Sequence, residues 1–246
     1  MTPERPGLLT GLLPPRAELT EVFEDPQAVD LFPGERALMD RALSRERRRE
    51  FATVRMCART ALARLRVAPA PILPRGGPDP WARQAPAWPD GVVGSMTHCP
   101  GYRAAAVARD GDLASLGIDA EAHAPLPAGV IDGVTLPDER RHLARLARSH
   151  PHVAWESVLF SAKESVYKAW FPLTGRWLGF LDCAVEPDPE GGVFTAVLRV
   201  PGPVVAGARV DRFTGRWRVL DGPGRTLVGT VVAVPGAAPA ATPENV

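Results

Sequence analysis

Four things are scarce in this 246-residue chain, and each scarcity narrows what it does. Long apolar runs are missing: no stretch of about 18 uninterrupted apolar residues occurs, and the opening MTPERPGLLTGLL lacks a basic start followed by an apolar block and a cleavage site. A membrane-spanning or exported chain is therefore not expected, and the cytoplasm is the expected compartment. Cysteine is rare and odd in number, with Cys57, Cys99 and Cys183 far apart, which suits reduced thiols rather than a disulfide framework or a metal-spaced pair. Excess charge is absent, since the formal net charge is only +1, and bulk binding of nucleic acid or an anionic membrane is not expected. Lysine is the scarcest of all. Among 29 basic residues only Lys163 and Lys168 are lysines, both inside KESVYK. A compact ammonium on a flexible stem and a planar guanidinium do different work, so the one place that uses lysine invites attention.

What is present is enough apolar material, 45% of residues, to bury a core in one large domain or two small ones. Residues 1–34 read as irregular with one short helix. From Glu35 to Arg66 the pattern is helical, with Phe51, Val54, Ala58, Ala61, Leu62 and Leu65 in one stripe and Arg48, Arg55, Arg59 and Arg66 along its flank. Residues 41–66 hold nine arginines against Glu46 and Glu50, a local +7 (9 − 2). A solvated helix face and an anion-binding face both fit that excess. The proline-rich stretch from Pro71 to Gly94, which carries Arg75, reads as a long loop. Beyond it, Arg103 to Ala108 reads as a strand ending in an Asp-Gly turn, SLGIDAEA as a short strand, and DERRHLARLAR and WESVLFSAKESVYKAWF as helices. Two β-hairpins come after them, LDCAVEPD with VFTAVLRV and GRWRVL with TLVGTVVAV, and the tail PGAAPAATPENV reads as disordered.

Three groups of residues carry chemistry. In GIDAE, Asp119 and Glu121 are two apart, so on a strand both carboxylates leave the same face as a pair of hard oxygen ligands; a solvent-facing strand alternates in the same way. On the helix 155–171, Ser161, Glu164 and Lys168 stand opposite the apolar stripe formed by Trp155, Val158, Leu159, Ala162, Val166, Ala169 and Trp170. Glu164 and Lys168 read either as a surface ion pair or as a third carboxylate and a cation beside Asp119 and Glu121, a set that suits Mg²⁺ and phosphate oxygens. Ser95-Met96-Thr97-His98, just ahead of a strand, offers a hydroxyl and an imidazole to an anion; no nearby acid completes a hydrolase triad.

Together, SMTHCPGYRAAAVA, GIDAE and FSAKESVYKAW, in this order and with 20 residues between His98 and Asp119, resemble the 4'-phosphopantetheinyl transferases. The likeness is to the large monomeric type that includes the enterobactin and surfactin synthetase-activating enzymes. The resemblance implies an α+β fold of two pseudo-symmetric α/β halves with coenzyme A in the cleft. Residues 1–110 would form the nucleotide-binding half, 111–234 the half with the magnesium site and carrier-protein contact, and 235–246 a disordered tail. It implies Mg²⁺ as cofactor, held by Asp119, Glu121 and Glu164, with Lys168 on the phosphate and Lys163 beside it. Thr97 and His98 would meet the phosphates of the adenosine portion, and Arg47, Arg55 and Arg75 the 3′-phosphate, although helical arithmetic favours Arg48 over Arg47. Glu164 and Lys168 would be catalytic, with proton removal by Glu164 directly or through a water. Trp170, Phe171, Leu173 and Trp177 would belong either to the carrier-protein surface or to the core. The implied partners are coenzyme A and apo acyl or peptidyl carrier proteins, acted on by a monomer. Two other readings remain: a different Mg²⁺ enzyme such as a nuclease, which should show a long basic track, and a noncatalytic coenzyme A-binding module.

Overall fold

The computed structural model describes residues 6–41, 44–76, 85–222 and 224–236, so the tail expected to be disordered lies almost entirely outside the described residues. The chain is mixed α and β. Its first strand, β1 (Glu18–Val22), sits in the stretch 1–34, where one short helix and no strand was expected. The helical stretch from Glu35 to Arg66 is two helices, α1 (Pro33–Met39) and α2 (Arg45–Arg64). Ser44 explains the break, because its side chain accepts from the Arg47 backbone N–H at 3.1 Å and starts a new helix. Next comes a hairpin, β2 (Val92–Cys99) and β3 (Tyr102–Arg109), turning at Pro100-Gly101. The Ser95–His98 segment is thus inside a strand rather than ahead of one.

The sheet order is β1-β3-β2, all antiparallel, and α2 covers one face by packing Cys57, Ala58, Ala61 and Leu62 against Ala105 and Val107. Most of the helix's arginine excess is engaged within the protein. Arg59 pairs with the fully buried Glu35 at 2.9 Å, Arg64 donates to the Leu19 carbonyl, and Arg48 donates to the Asp40 carbonyl at 3.2 Å.

A tight turn at Asp110–Asp112 leads into β4 (Leu113–Ala122), then α3 (Val130–Val134), α4 (Pro137–Ser149) and α5 (Trp155–Thr174). The two expected hairpins are β5 (Cys183–Asp188) with β6 (Val193–Leu198), and β9 (Arg212–Gly222) with β10 (Arg225–Pro235), while β7 (Val204–Val205) and β8 (Ala208–Arg209) form a small ribbon between them. Their sheet order is β4-β10-β9-β6-β5. Helix α5 lies across it, burying Trp155, Val158, Leu159, Ala162, Val166 and Trp170 against Val185, Phe194, Val228 and Val232.

Two close approaches position the chemistry-bearing side chains. Gly117 on β4 faces α5, and a Cβ there would lie 1.9 Å from the Ser165 carbonyl oxygen, so only glycine lets the helix rest on the strand. The second is a seam between the sheets. Among the described residues no backbone hydrogen bond joins β2 to β4; instead Ser95 Oγ accepts from the Ile118 N–H at 3.0 Å and Thr97 Oγ1 from the Ala120 N–H at 3.1 Å. Equal steps in the same direction make these strands parallel. A core cluster that includes Leu8, Tyr102, Ala104, Leu116, Ile118 and Val231 runs across the expected boundary, so the two halves share apolar packing. No helix among the described residues is long and apolar enough to cross a membrane.

Candidate active site

The seam brings the sequence's separate motifs together. Asp119 on β4 is buried, and its Oδ1 accepts from Lys168 Nζ on α5 at 2.7 Å and from Thr97 Oγ1 on β2 at 3.3 Å. Lys168 also donates to the Ile118 carbonyl at 3.2 Å. Asp119 Oδ2 is buried with no hydrogen-bond partner among the described residues. Glu121, two residues on, and Glu164, one helical turn before Lys168, make no hydrogen bond or ion pair with any described residue.

Electrostatics marks the four groups as one cluster. Burial, then the Asp119 charge, pushes the Glu121 carboxyl up to about 7, with Lys168 opposing and Glu164 adding to the rise. Burial likewise raises Glu164, opposed by Lys168 and reinforced by Asp119. For Lys168, burial works against the ammonium, but Asp119, Glu164 and Glu121 prevail and hold its pKa above the ordinary lysine value. Three carboxylates against one ammonium (3 − 1) leave a net −2 when all are ionised. An orphaned buried carboxylate oxygen, two unpartnered acids and that residual charge fit a hard divalent cation with oxygen ligands. The cluster is not a finished cage, for no three His, Cys, Asp or Glu side chains among the described residues are gathered tightly enough to hold a metal ion. Lys168 stands among the acids in the place where they would close.

A cavity of about 470 Å³ adjoins the cluster, with Glu164, Lys168 and Phe171 on one wall, Ser95 and Met96 on another, and Arg75 and Trp88 at its edge. On the far side of Thr97, the exposed His98 faces a charged group centred on Glu50. The Glu50 carboxylate lies 3.2 Å from Arg47 Nη1, 3.6 Å from His98 Nδ1 and 3.7 Å from Arg103 Nη2. Arg47 Nη1 is 3.5 Å from His98 Nε2. The packed surroundings, then Arg47, Lys168 and Arg103, lower the His98 pKa against the pull of Glu50. Arg47, not Arg48, therefore turns toward the histidine.

Several expectations are corrected. Lys163 is not beside a phosphate: only 3% exposed, its ammonium donates to the Val134 carbonyl at 2.9 Å, the Phe180 carbonyl at 2.7 Å and Glu139 Oε2 at 2.8 Å. Residues adjacent on a helix point about 100° apart, so Lys163 and Glu164 face different surroundings. Burial lowers the Lys163 pKa while the Glu139 bond and charge oppose the fall. Thr97 is buried and its hydroxyl proton is directed at Asp119, so here it supports that acid. Arg55 is buried in the middle of α2, donating Nε to the Ile72 carbonyl at 3.1 Å and Nη1 to the Phe51 carbonyl at 3.3 Å, with burial lowering its pKa to about 10. It fixes the segment that leads to Arg75. Ser161 is fully buried, bonded to Thr230 at 2.9 Å, so α5 has no solvent face there. Trp170 and Phe171 are core, whereas Trp177 is 45% exposed.

Two acids with clear roles were missed. Glu50 reads in sequence as an ordinary (i, i+3) partner for Arg47, and only its burial and the approach of His98 from β2 reveal more. Glu139 reads as a first-turn acid after Pro137, and only the fold brings Lys163 to it.

Comparison with known proteins gives the family. Residues 34–108 match the family model described as the 4'-phosphopantetheinyl transferase N-terminal domain, and residues 115–212 match that of the 4'-phosphopantetheinyl transferase superfamily. The chain is 54% identical over 242 residues to 4'-phosphopantetheinyl transferase Svp of Streptomyces mobaraensis, covering 97% of this chain and 93% of that protein. It is 46% identical over 206 residues to 4'-phosphopantetheinyl transferase PptT of Mycobacterium tuberculosis (82% and 87%), and 43% identical over 223 residues to 4'-phosphopantetheinyl transferase Npt of Nocardia iowensis (87% and 96%).

Proposed function

The chain belongs to the 4'-phosphopantetheinyl transferase superfamily, and from that premise we propose that the Asp119–Glu121–Glu164–Lys168 cluster is where it transfers phosphopantetheine from coenzyme A to a carrier protein. The observation that carries the assignment is the 2.7 Å bond between Lys168 Nζ and Asp119 Oδ1, which ties the two motif-bearing elements to one point beside the large cavity.

Asp119, Glu121 and Glu164 would hold Mg²⁺, which when bound supplies charge neutralisation at the pyrophosphate of coenzyme A. The residues of the chain do the rest. Lys168, kept charged by the acids around it, meets the charge that develops on the transferred phosphoryl group. Displacing the Lys168 ammonium from Asp119 toward a phosphate oxygen also frees that carboxylate, so substrate arrival and completion of the acidic site are coupled. Glu164, raised by burial, is a stronger base than an exposed carboxylate and accepts the proton of the carrier serine hydroxyl as its oxygen bonds to the β-phosphorus. The bond from that phosphorus to 3′,5′-ADP breaks in the same displacement. Arg47 and His98 bind phosphate at the nucleotide end, Arg75 binds at the cavity edge, and Arg55 steadies the segment that carries Arg75. Exposed Trp177, its ring tilted against that of Tyr167 at 4.9 Å between centroids, and Leu181 offer the carrier protein an apolar surface, with Tyr167 one helical turn from Glu164. The enzyme acts as a monomer in the cytoplasm.

The direct test incubates the protein with Mg²⁺, coenzyme A and an apo carrier protein and weighs the carrier, whose mass should rise by roughly 340 Da as one phosphopantetheine group is transferred. Full activity in Asp119→Asn would remove the cluster from the chemistry.

A further inference from the structure

Glu50 is a carboxylate, only 8% exposed at the side chain, surrounded by three cationic or potentially cationic groups from three different elements. Arg47 comes from its own helix α2, His98 from β2, and Arg103 from β3, where it is the register partner of His98. Arg103 is already anchored elsewhere, to Asp25 at 3.1 Å and to the Cys99 and Tyr102 carbonyls, so it does not need Glu50 for support. Arg47, with a side chain 66% exposed, and His98, 39% exposed, have no other fixed support among the described residues. A guanidinium only donates, so the His98 Nε2 facing Arg47 presents its lone pair and the ring proton sits on Nδ1, the nitrogen nearer Glu50. An anion taking the place in front of Nε2 requires a proton there. The ring then carries charge between that anion and the Glu50 carboxylate, with Arg47, Arg103 and Lys168 as the cations that face it.

We propose that Glu50 is the positioning residue of the nucleotide end: it holds Arg47 and His98 side by side and serves as the buried counter-charge that lets His98 meet a phosphate as imidazolium. The proposal rests on the reading that Arg47 and His98 bind phosphate. It assigns to an acid a role in binding an anion, which charge counting alone would reverse. A buried carboxylate behind a cationic pair costs some attraction for the ligand and gives in exchange a fixed orientation and a ready proton site.

The experiment compares Glu50→Gln, which keeps shape and removes charge, with wild type, Arg47→Ala and His98→Ala, using coenzyme A as the probe. We expect Glu50→Gln to raise KM for coenzyme A by about tenfold with kcat within about twofold, the pattern of lost binding rather than lost chemistry. We also expect the His98 ring nitrogens, followed by two-bond ¹H–¹⁵N spectra at pH 7, to become fully protonated on adding coenzyme A to wild type but to stay neutral in Glu50→Gln. An unchanged KM in folded Glu50→Gln, or a His98 ring that protonates equally in both proteins, overturns the proposal. If Arg47→Ala and His98→Ala also leave KM unchanged, the phosphate reading itself fails, and the proposal with it. Should Glu50→Gln not fold, Glu50→Asp tests the same point, because the shorter acid withdraws from His98 and should raise KM while keeping kcat.

Discussion

Replacing Lys163 by methionine separates a structural lysine from a phosphate-binding one. In the native protein the ammonium makes three hydrogen bonds, and Glu139 and Lys163 side chains are each only 2% exposed. Methionine fills much of the volume but leaves the Val134 and Phe180 carbonyls without their donor and Glu139 as a buried carboxylate without its cation. Glu139 keeps the Leu136 N–H at 2.6 Å and the Val185 N–H at 2.7 Å, which soften the loss without replacing the charge. Removing one partner of a buried pair costs about 3–5 kcal/mol. For a chain of this size each kcal/mol lowers Tm by about 2–4 °C, so Tm should fall by roughly 6–20 °C. Calorimetry gives the shift, and steady-state kinetics well below Tm should give a KM for coenzyme A within about twofold of wild type. The double variant Lys163→Met with Glu139→Gln should recover part of the loss, since the stranded charge is then gone. An unchanged Tm with a raised KM would refute the reasoning and return Lys163 to the coenzyme A site.

Four further outcomes are expected. Glu164→Gln should lower kcat by about 10²-fold or more while circular dichroism stays native, because both a ligand and the proton acceptor are removed. Gly117→Ala has no room for its methyl beside the Ser165 carbonyl, and forcing α5 outward should cost about 1–3 kcal/mol in urea unfolding and reduce transfer even in folded protein. The raised pKa of Glu121 means that the native state holds a proton which the unfolded chain releases, so this group's contribution to stability falls as pH rises from about 4.5 to about 7. Mg²⁺ needs the ionised carboxylate, so the Tm gained on adding Mg²⁺ should be larger at pH 8 than at pH 6, and an equal gain would argue against Glu121 as a ligand. Chelation followed by Mg²⁺ return should abolish and restore transfer to an apo carrier.

Much of this was legible from sequence because the informative residues lie on regular elements. The two-residue spacing of Asp119 and Glu121 and the four-residue spacing of Glu164 and Lys168 each fix a local face, and the fold had only to bring a strand and a helix together. What failed was whatever depended on a partner distant in sequence. Lys163 and Lys168 look equivalent inside KESVYK, yet one meets Glu139 from α4 and the other Asp119 from β4. The arginine excess of residues 41–66 fitted either a solvated face or an anion-binding one, but Glu35, the Asp40 and Leu19 carbonyls and Glu50 engage Arg59, Arg48, Arg64 and Arg47 within the protein. Strand β1 escaped notice because all five of its residues are half-buried, leaving no clean alternation to read.

The seam between β2 and β4 has a bearing on which substitutions this enzyme tolerates. In an ordinary ladder any residue but proline supplies the linking groups, so strand positions drift freely among good strand formers. Here the link at Ile118 is the hydroxyl of Ser95, and a valine in its place would satisfy every propensity yet leave a buried N–H orphaned, a penalty of about 1–3 kcal/mol. Alphabets of tolerated residues at positions 95 and 97 should therefore be as narrow as those at the acids themselves, although neither hydroxyl need touch substrate.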